Sequence, residues 1–166
     1  MTVYNEFLKS NQGFSQNFTQ GGLTMPPRRH VAVVTCMDAR LHPEKFLGLE
    51  IGDAHVIRNA GGRVSQDAIR SLVISQRLLG TTEVVIIHHT DCGMVTFTNE
   101  QLSQKIKQEL GVDTSGQDFL PFTDLEKSVR DDVNTVRSSP LIPKEFPVSG
   151  AIYDVRSGKL IEVVRA

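Results

Sequence analysis

His30-Val31-Ala32-Val33-Val34-Thr35-Cys36 is β-branched and almost wholly apolar, as a strand buried on both faces of a parallel sheet must be. Glu83-Val84-Val85-Ile86-Ile87-His88-His89 has the same character. Between them, Ala54 to Ile57 reads as a shorter strand running into the glycine-rich turn Arg58-Asn59-Ala60-Gly61-Gly62. Helices separate these strands. Ser65 caps one that runs to Leu79, with Ile69, Leu72, Val73 and Gln76 near one face and Gly80 as its stop. Strands alternating with helices predict an α/β fold around a mostly parallel sheet with flanking helices. Right-handed crossovers then bring the carboxyl ends of the parallel strands to one edge, where open sheets bind ligands. Cys36 closes the first strand, and His89 and Cys92 follow the third, so all three are expected at that edge.

Outward from this centre the signals are weaker. Val3 to about Ser10 suggests a short helix, while Asn11 to Gly22 is polar and contains Phe14 and Phe18. Those rings either pack back on their own domain or belong to an arm laid over a partner. Pro43 suits the first turn of a helix reading to about Leu49. Two capping boxes, Thr98 with Gln101 and Thr123 with Glu126, open later helices. The second of these carries Leu125, Val129, Val133 and Val136 on one face. A final strand pair, Val148 to Val155 and Lys159 to Val164, flanks a turn at Ser157-Gly158. Residues 1–166 read as one domain without repeats or linker.

The chain has 166 residues, 39% of them hydrophobic, which is enough for a single core. Eighteen basic and 19 acidic residues leave a formal charge of -1, which argues against a nucleic-acid binder. No apolar run reaches the roughly 18 residues of a membrane span, and Met1 to Ser10 lacks the pattern of a secretion signal. A cytoplasmic location is the expectation. Two cysteines are too few for a disulfide scaffold.

Those two cysteines have a more interesting place. Zinc prefers thiolate and imidazole, and a catalytic site supplies three protein ligands and leaves a fourth position open. His89 and Cys92, spaced H-x-x-C, can converge on one ion with Cys36 arriving from the neighbouring strand. A cysteine at a strand end is equally at home as a small buried hydrophobe, so spacing alone leaves both readings open. His88 competes with His89 but points to the opposite face of the strand. The spacing to Cys92 favours His89. Asp38 and Arg40 share a face in an extended segment, either as a structural ion pair or as a carboxylate held ionised beside a metal.

With these residues assembled, the sequence resembles the β-class carbonic anhydrases. The resemblance rests on Cys36-Met37-Asp38-Ala39-Arg40, Arg58-Asn59-Ala60-Gly61-Gly62 and His89-Thr90-Asp91-Cys92-Gly93-Met94. It implies one zinc ion per chain, held by Cys36, His89 and Cys92, with Asp38 and Arg40 as catalytic dyad. It also implies a Gly93 backbone N–H facing substrate oxygen. A four-stranded parallel sheet with an additional strand is expected, in a homodimer or dimer of dimers whose N-terminal arm (1–24) embraces the neighbour. Met37 and Ala39 replace the serines usual in the first motif. Met25-Pro26-Pro27 stands where plant-type members have a substrate-contacting glutamine, which puts that contact in doubt. The chain has no tryptophan, so the inhibitory bicarbonate site of some bacterial members is not expected in that form.

The activity implied is attack by a zinc-bound hydroxide on a small linear cumulene. Carbon dioxide, hydrated reversibly to bicarbonate, ranks first. The compact subgroup that this short chain resembles also contains carbonyl sulfide hydrolases, which release hydrogen sulfide and carbon dioxide. Gly61 and Gly62 are expected to leave room for the larger sulfur. Two thiolates cancel the metal's charge formally, so activity is expected to rise through mildly alkaline pH. Asp38 could close the site if Arg40 released it, and His42 is a candidate proton relay beside its plainer role as a solvated helix-start residue. Two other classes compete with this one. A thiol enzyme built on Cys36 and Arg40 lacks the five-residue spacing of phosphatase loops, having three. A non-catalytic zinc module would keep the fold and lose the rate.

Overall fold

The computed structural model describes residues 2–166, so that Met1 of the expected arm lies outside the described residues. Five strands form one sheet: β1 Val31–Cys36, β2 Ala54–Asn59, β3 Glu83–His89, β4 Val148–Tyr153 and β5 Leu160–Val164. Their order is β2-β1-β3-β4-β5. The first four are mutually parallel and β5 is antiparallel to β4. This is the architecture expected, an α/β fold with four parallel strands and one addition. The register sets Cys36 beside Asn59, and His89 beside Tyr153, so the parallel strands end together.

Burial follows from strand periodicity. Ala32, Val34, Val84, Ile86 and Val148 point to one face and pack with α3 (Gln66–Leu79) and α5 (Leu125–Ser138) through Ile69, Leu72, Val133 and Val136. Gly150 is what lets α5 lie so close. A Cβ there would sit 2.6 Å from Val129 Cγ1 and 2.9 Å from Val133 Cγ2. A second cluster, at the carboxyl edge, gathers Cys36, Leu41, Cys92, Met94 and Phe122.

Several boundaries differ from expectation, each for a local reason. The first helix, α1, runs Val3–Gln16 through the polar stretch, keeping Phe7 and Phe14 two turns apart on its exposed stripe. It buries no residue of its own. Phe14 and Phe18 pack on each other, ring centroids 5.5 Å apart, and stay 57% and 45% exposed. The strand β2 takes in Arg58 and Asn59, and α2 (Pro43–Leu47) stops where Gly48 turns left-handed. Thr98 and Gln101 do close a capping box on α4 (Asn99–Leu110). For α5 the cap is Asp124, not Thr123: its carboxylate accepts from Lys127 N at 2.9 Å, one residue later than the sequence suggests. Aspartate caps as well as a hydroxyl does, and this register frees Glu126 to pair with Arg130 at 2.6 Å. Finally, β4 ends at Tyr153 because Asp154 leaves the ladder to organise the turn. Its carboxylate accepts from Thr90 Oγ1, Arg156 N and Ser157 Oγ.

Candidate metal centre and its flanking acids

Cys36, His89 and Cys92 meet at the carboxyl edge. Their ligand-capable atoms all lie within 4.8 Å of one another, and all three residues are buried. The β1 end is held rigidly. Arg58 donates from Nε to Cys36 O (3.0 Å) and from Nη2 to Asp38 O (2.7 Å), stapling the loop after Cys36 to β2. Gly62, at φ +67, passes directly beneath: a Cβ would lie 2.8 Å from Cys36 N. Only glycine fits that approach.

The histidine's tautomer follows from its neighbours. His89 Nδ1 donates to Thr90 O at 2.9 Å, which leaves a lone pair on Nε2. That Nε2 is buried and has no hydrogen-bond partner among the described residues. A buried polar atom left alone is costly, and here it faces two sulfurs. Hydrogen bonding between the thiols lowers the Cys36 pKa against the opposing effect of burial, with the His89 ring and the backbone N–H groups of Asp38 and Gly61 assisting. The same bond, with burial, pushes Cys92 up. Two thiol donors, an unpartnered imidazole nitrogen with its other nitrogen anchored on a carbonyl, and near-complete burial fit a soft divalent metal.

Asp38 borders this trio, with Oδ2 3.9 Å from His89 Nε2. Arg40 grips it in a fork: Nε to Oδ1 at 3.0 Å and Nη2 to Oδ2 at 2.8 Å, while Arg40 N also donates to Oδ1. The guanidinium holds the Asp38 carboxyl well below the usual carboxylate range. The carboxylate is thus ionised and turned toward the arginine. A second acid stands on the other side of Arg40. Asp91 Oδ2 lies 2.6 Å from Nη1, and Asp91 O accepts from Nη2 at 2.9 Å.

A cavity of about 190 Å³ opens beside the trio, lined by Cys36, Met37, Asp38, Ala60, Gly61, Cys92, Gly93 and Met94. Gly93 and Gly61 therefore stand in its wall, and Gly62 lies behind it. Both Gly61 and Gly62 are also required by close packing. A Cβ at Gly61 would meet Met94 Cγ at 2.7 Å, and one at Gly62 would meet backbone. His42 is exposed at the start of α2 (Pro43–Leu47). His88 points to the opposite face, as its place on the strand predicts, and is tied to α5 through Ser128 Oγ (2.7 Å) and Asp132 Oδ2 (3.0 Å). Sequence reasoning passed over Asp91 and the Arg58 staple. Asp91 sits inside the H-x-x-C spacing, which was the available signal, but its left-handed backbone (φ 56) could not be read from residue types.

An open parallel sheet with a buried thiol–imidazole–thiol trio at its carboxyl edge, flanked by an arginine-held carboxylate, defines a class of small α/β enzymes with a metal-competent centre. The sequence profile of the carbonic anhydrase family matches residues 31–160. β-Carbonic anhydrase 1 of Mycobacterium tuberculosis (strain ATCC 25618 / H37Rv) is 45% identical over 164 residues, covering 98% of this chain and 99% of that protein. A carbon disulfide hydrolase of Acidianus sp. (strain A1-3) is 38% identical, covering 82% and 78%. The crystal structure of carbonic anhydrase from Streptococcus mutans superimposes with a TM-score of 0.95 at 53% identity, covering 98% of each chain. The chain belongs to the β-carbonic anhydrase family and is an enzyme, a carbonic anhydrase or a closely related hydrolase.

Proposed function

We propose that this enzyme reversibly hydrates carbon dioxide, with one zinc ion held by Cys36, His89 and Cys92 and with Asp38 and Arg40 as its catalytic pair. The observation that carries the reading is the orphaned His89 Nε2, facing two buried sulfurs and 3.9 Å from an ionised Asp38 oxygen. Zinc would supply Lewis acidity, making water nucleophilic near neutral pH. Asp38 is placed to accept a hydrogen bond from that water and so to orient its lone pair toward substrate. Arg40 keeps Asp38 anionic and prevents it from turning to the metal. The cavity wall, with Met37, Ala60 and Met94, is largely apolar and suits an uncharged linear molecule. Gly93 offers its backbone N–H to the oxygen on which negative charge develops. Carbon dioxide and water then give bicarbonate and a proton, which leaves to solvent.

A second reading is favoured by a specific observation. Relatives named carbon disulfide hydrolase show that close sequences act on a sulfur-containing cumulene. The same attack on carbonyl sulfide would yield hydrogen sulfide and carbon dioxide. The carbonic anhydrases among the most similar relatives argue for carbon dioxide.

Residues 1–166 form one domain in this reading, with the 1–24 arm laid over a second copy in a homodimer. What supports it is a matched pair of unsatisfied surfaces. Tyr4, Phe7 and Leu8 of α1 are exposed, and a groove with a floor of Val31, Val33, Leu47 and Val85, edged by Arg29 and Glu83, lies on the sheet face away from α3 and α5. No helix among the described residues is long and apolar enough to cross a membrane. Steady-state rates on carbon dioxide and carbonyl sulfide, measured with one zinc-loaded preparation, test the proposal. Hydration of carbon dioxide well above buffer and faster than carbonyl sulfide turnover is expected. A faster carbonyl sulfide rate would install the second reading, and no rate on either would leave a non-catalytic zinc module.

A further inference from the structure

The dyad accounts for only part of Arg40's bonding. A guanidinium has five N–H donors. Two go to the Asp38 carboxylate, through Nε and Nη2. The outer edge goes elsewhere: Nη1 donates to Asp91 Oδ2 at 2.6 Å, and Nη2 donates to Asp91 O at 2.9 Å. Arg40 is half exposed, on a stem with many rotamers, and its partner Asp38 is only two residues away on the same loop. Arg58 holds the loop backbone at Asp38 O and Arg40 N holds one carboxylate oxygen, but none of these bonds fixes the Arg40 guanidinium itself. Asp91 does so from a separate element. It lies between His89 and Cys92, in the turn leaving β3, so Arg40 ties the loop carrying Cys36 to the loop carrying the other two donors.

The backbone at Asp91 points the same way. Its φ of 56 is in the left-handed region, which a side chain with a Cβ enters at a cost, aspartate and asparagine less so than most. Glycine would relieve that strain, yet the residue here is an acid, and its carboxylate is aimed at Arg40.

We propose that Asp91 is a positioning residue that fixes Arg40, and through Arg40 the direction of the Asp38 carboxylate. The proposal rests on the assignment of Asp38 and Arg40 as the catalytic pair. It predicts that removing the carboxylate loosens Arg40 without emptying the metal site. Two variants separate backbone from carboxylate. Asp91→Gly keeps the left-handed turn and removes the acid; Asp91→Asn tolerates the turn and keeps a neutral acceptor.

The test uses zinc-loaded full-length protein and two readouts. The first is the Arg40 Nε–H resonance in proton–nitrogen correlation spectra, a signal that survives only while solvent exchange is slow. The second is kcat and KM for carbon dioxide. Expected is a sharp Arg40 Nε–H in the parent, a broadened or absent one in Asp91→Gly and an intermediate one in Asp91→Asn. The kcat should fall about ten-fold in Asp91→Gly with KM nearly constant, and recover in part in Asp91→Asn. An Asp91→Gly protein with the parental resonance and parental kcat overturns the proposal. So does loss of zinc with the Arg40 resonance retained, since Asp91 would then act on the metal site and not through Arg40. If the parent itself hydrates no carbon dioxide, the functional reading fails, while the resonance still decides whether Asp91 fixes Arg40.

Discussion

Two arginines in this protein hold aspartates in the same two-pronged way and do opposite kinds of work. Arg63 grips Asp132 from Nε (2.8 Å) and Nη2 (3.2 Å), just as Arg40 grips Asp38. The Arg63 side chain is 12% exposed and Asp132 4%, against 48% and 19% for Arg40 and Asp38. The buried pair is satisfied on every side. Arg63 also donates to Leu120 O and lies over the Phe122 ring, and Asp132 also accepts from His88 Nε2. It therefore locks α5 and the turn after β2 to the back of β3, one residue from His89. The half-exposed pair faces a cavity and keeps water within reach. Burial decides whether a charge cluster is a rivet or a working part, because desolvation makes a buried charge intolerant of losing its partner.

Breaking each pair in turn should expose the difference. Asp132→Ala strands Arg63 and leaves the buried His88 Nε2 without its acceptor. A loss of about 3–5 kcal/mol in urea unfolding is expected. Asp38→Ala should instead leave the urea midpoint close to the parent and cut carbon dioxide hydration about 100-fold. Equal stability losses in the two variants would dissolve the distinction.

The turn between the two clusters sharpens the comparison further. Gly62 sits next to Arg63 on one side and beneath Cys36 on the other. Gly62→Ala forces a left-handed alanine and a Cβ into the β1 backbone, at a cost of about 1–3 kcal/mol from the dihedral alone. Both stability and zinc content should fall, measured by urea unfolding and metal analysis. A variant that lost neither would show that the turn is free to move.

The smallest effect is one of pH. Burial works against ionisation of Asp132, but His88 and Arg63 outweigh it and lower its pKa in the folded state. Such a group stabilises the fold above the unfolded carboxylate value of about 3.9, and that contribution disappears as pH falls through the lower folded value. The gap in urea midpoint between the parent and Asp132→Ala should therefore be full at neutral pH and shrink below about pH 4. A gap that stays constant on acidification would mean Asp132 is not ionised in the folded protein.

How far the sequence alone reached depends on the distance over which each feature is encoded. The strands β1 and β3 were legible because unbroken β-branched runs admit few alternatives, and Cys36, His89 and Cys92 could be placed at one edge by topology plus the H-x-x-C spacing. His88 could be turned away from the trio by strand periodicity alone. The competition between Thr123 and Asp124 for the α5 cap was not decidable from residue types, since both are good caps. Arg63 and Asp132 lie 69 residues apart, so their pairing exists only once α5 docks on the sheet. Asp91 was hidden for another reason: its role depends on a backbone dihedral that aspartate adopts only when the surrounding turn demands it. The helix α1 runs past its expected end through Asn11 and Gly13, residues of low helix preference that residue types alone do not carry into a helix.

Zinc content and hydration rate, measured together on the parent and on Cys92→Ser, test the central claim most directly. One zinc per chain with carbon dioxide hydration in the parent, and loss of both in Cys92→Ser, is the predicted result. A metal-free parent that still hydrates carbon dioxide, or a Cys92→Ser protein that keeps its zinc and its rate, would contradict the account.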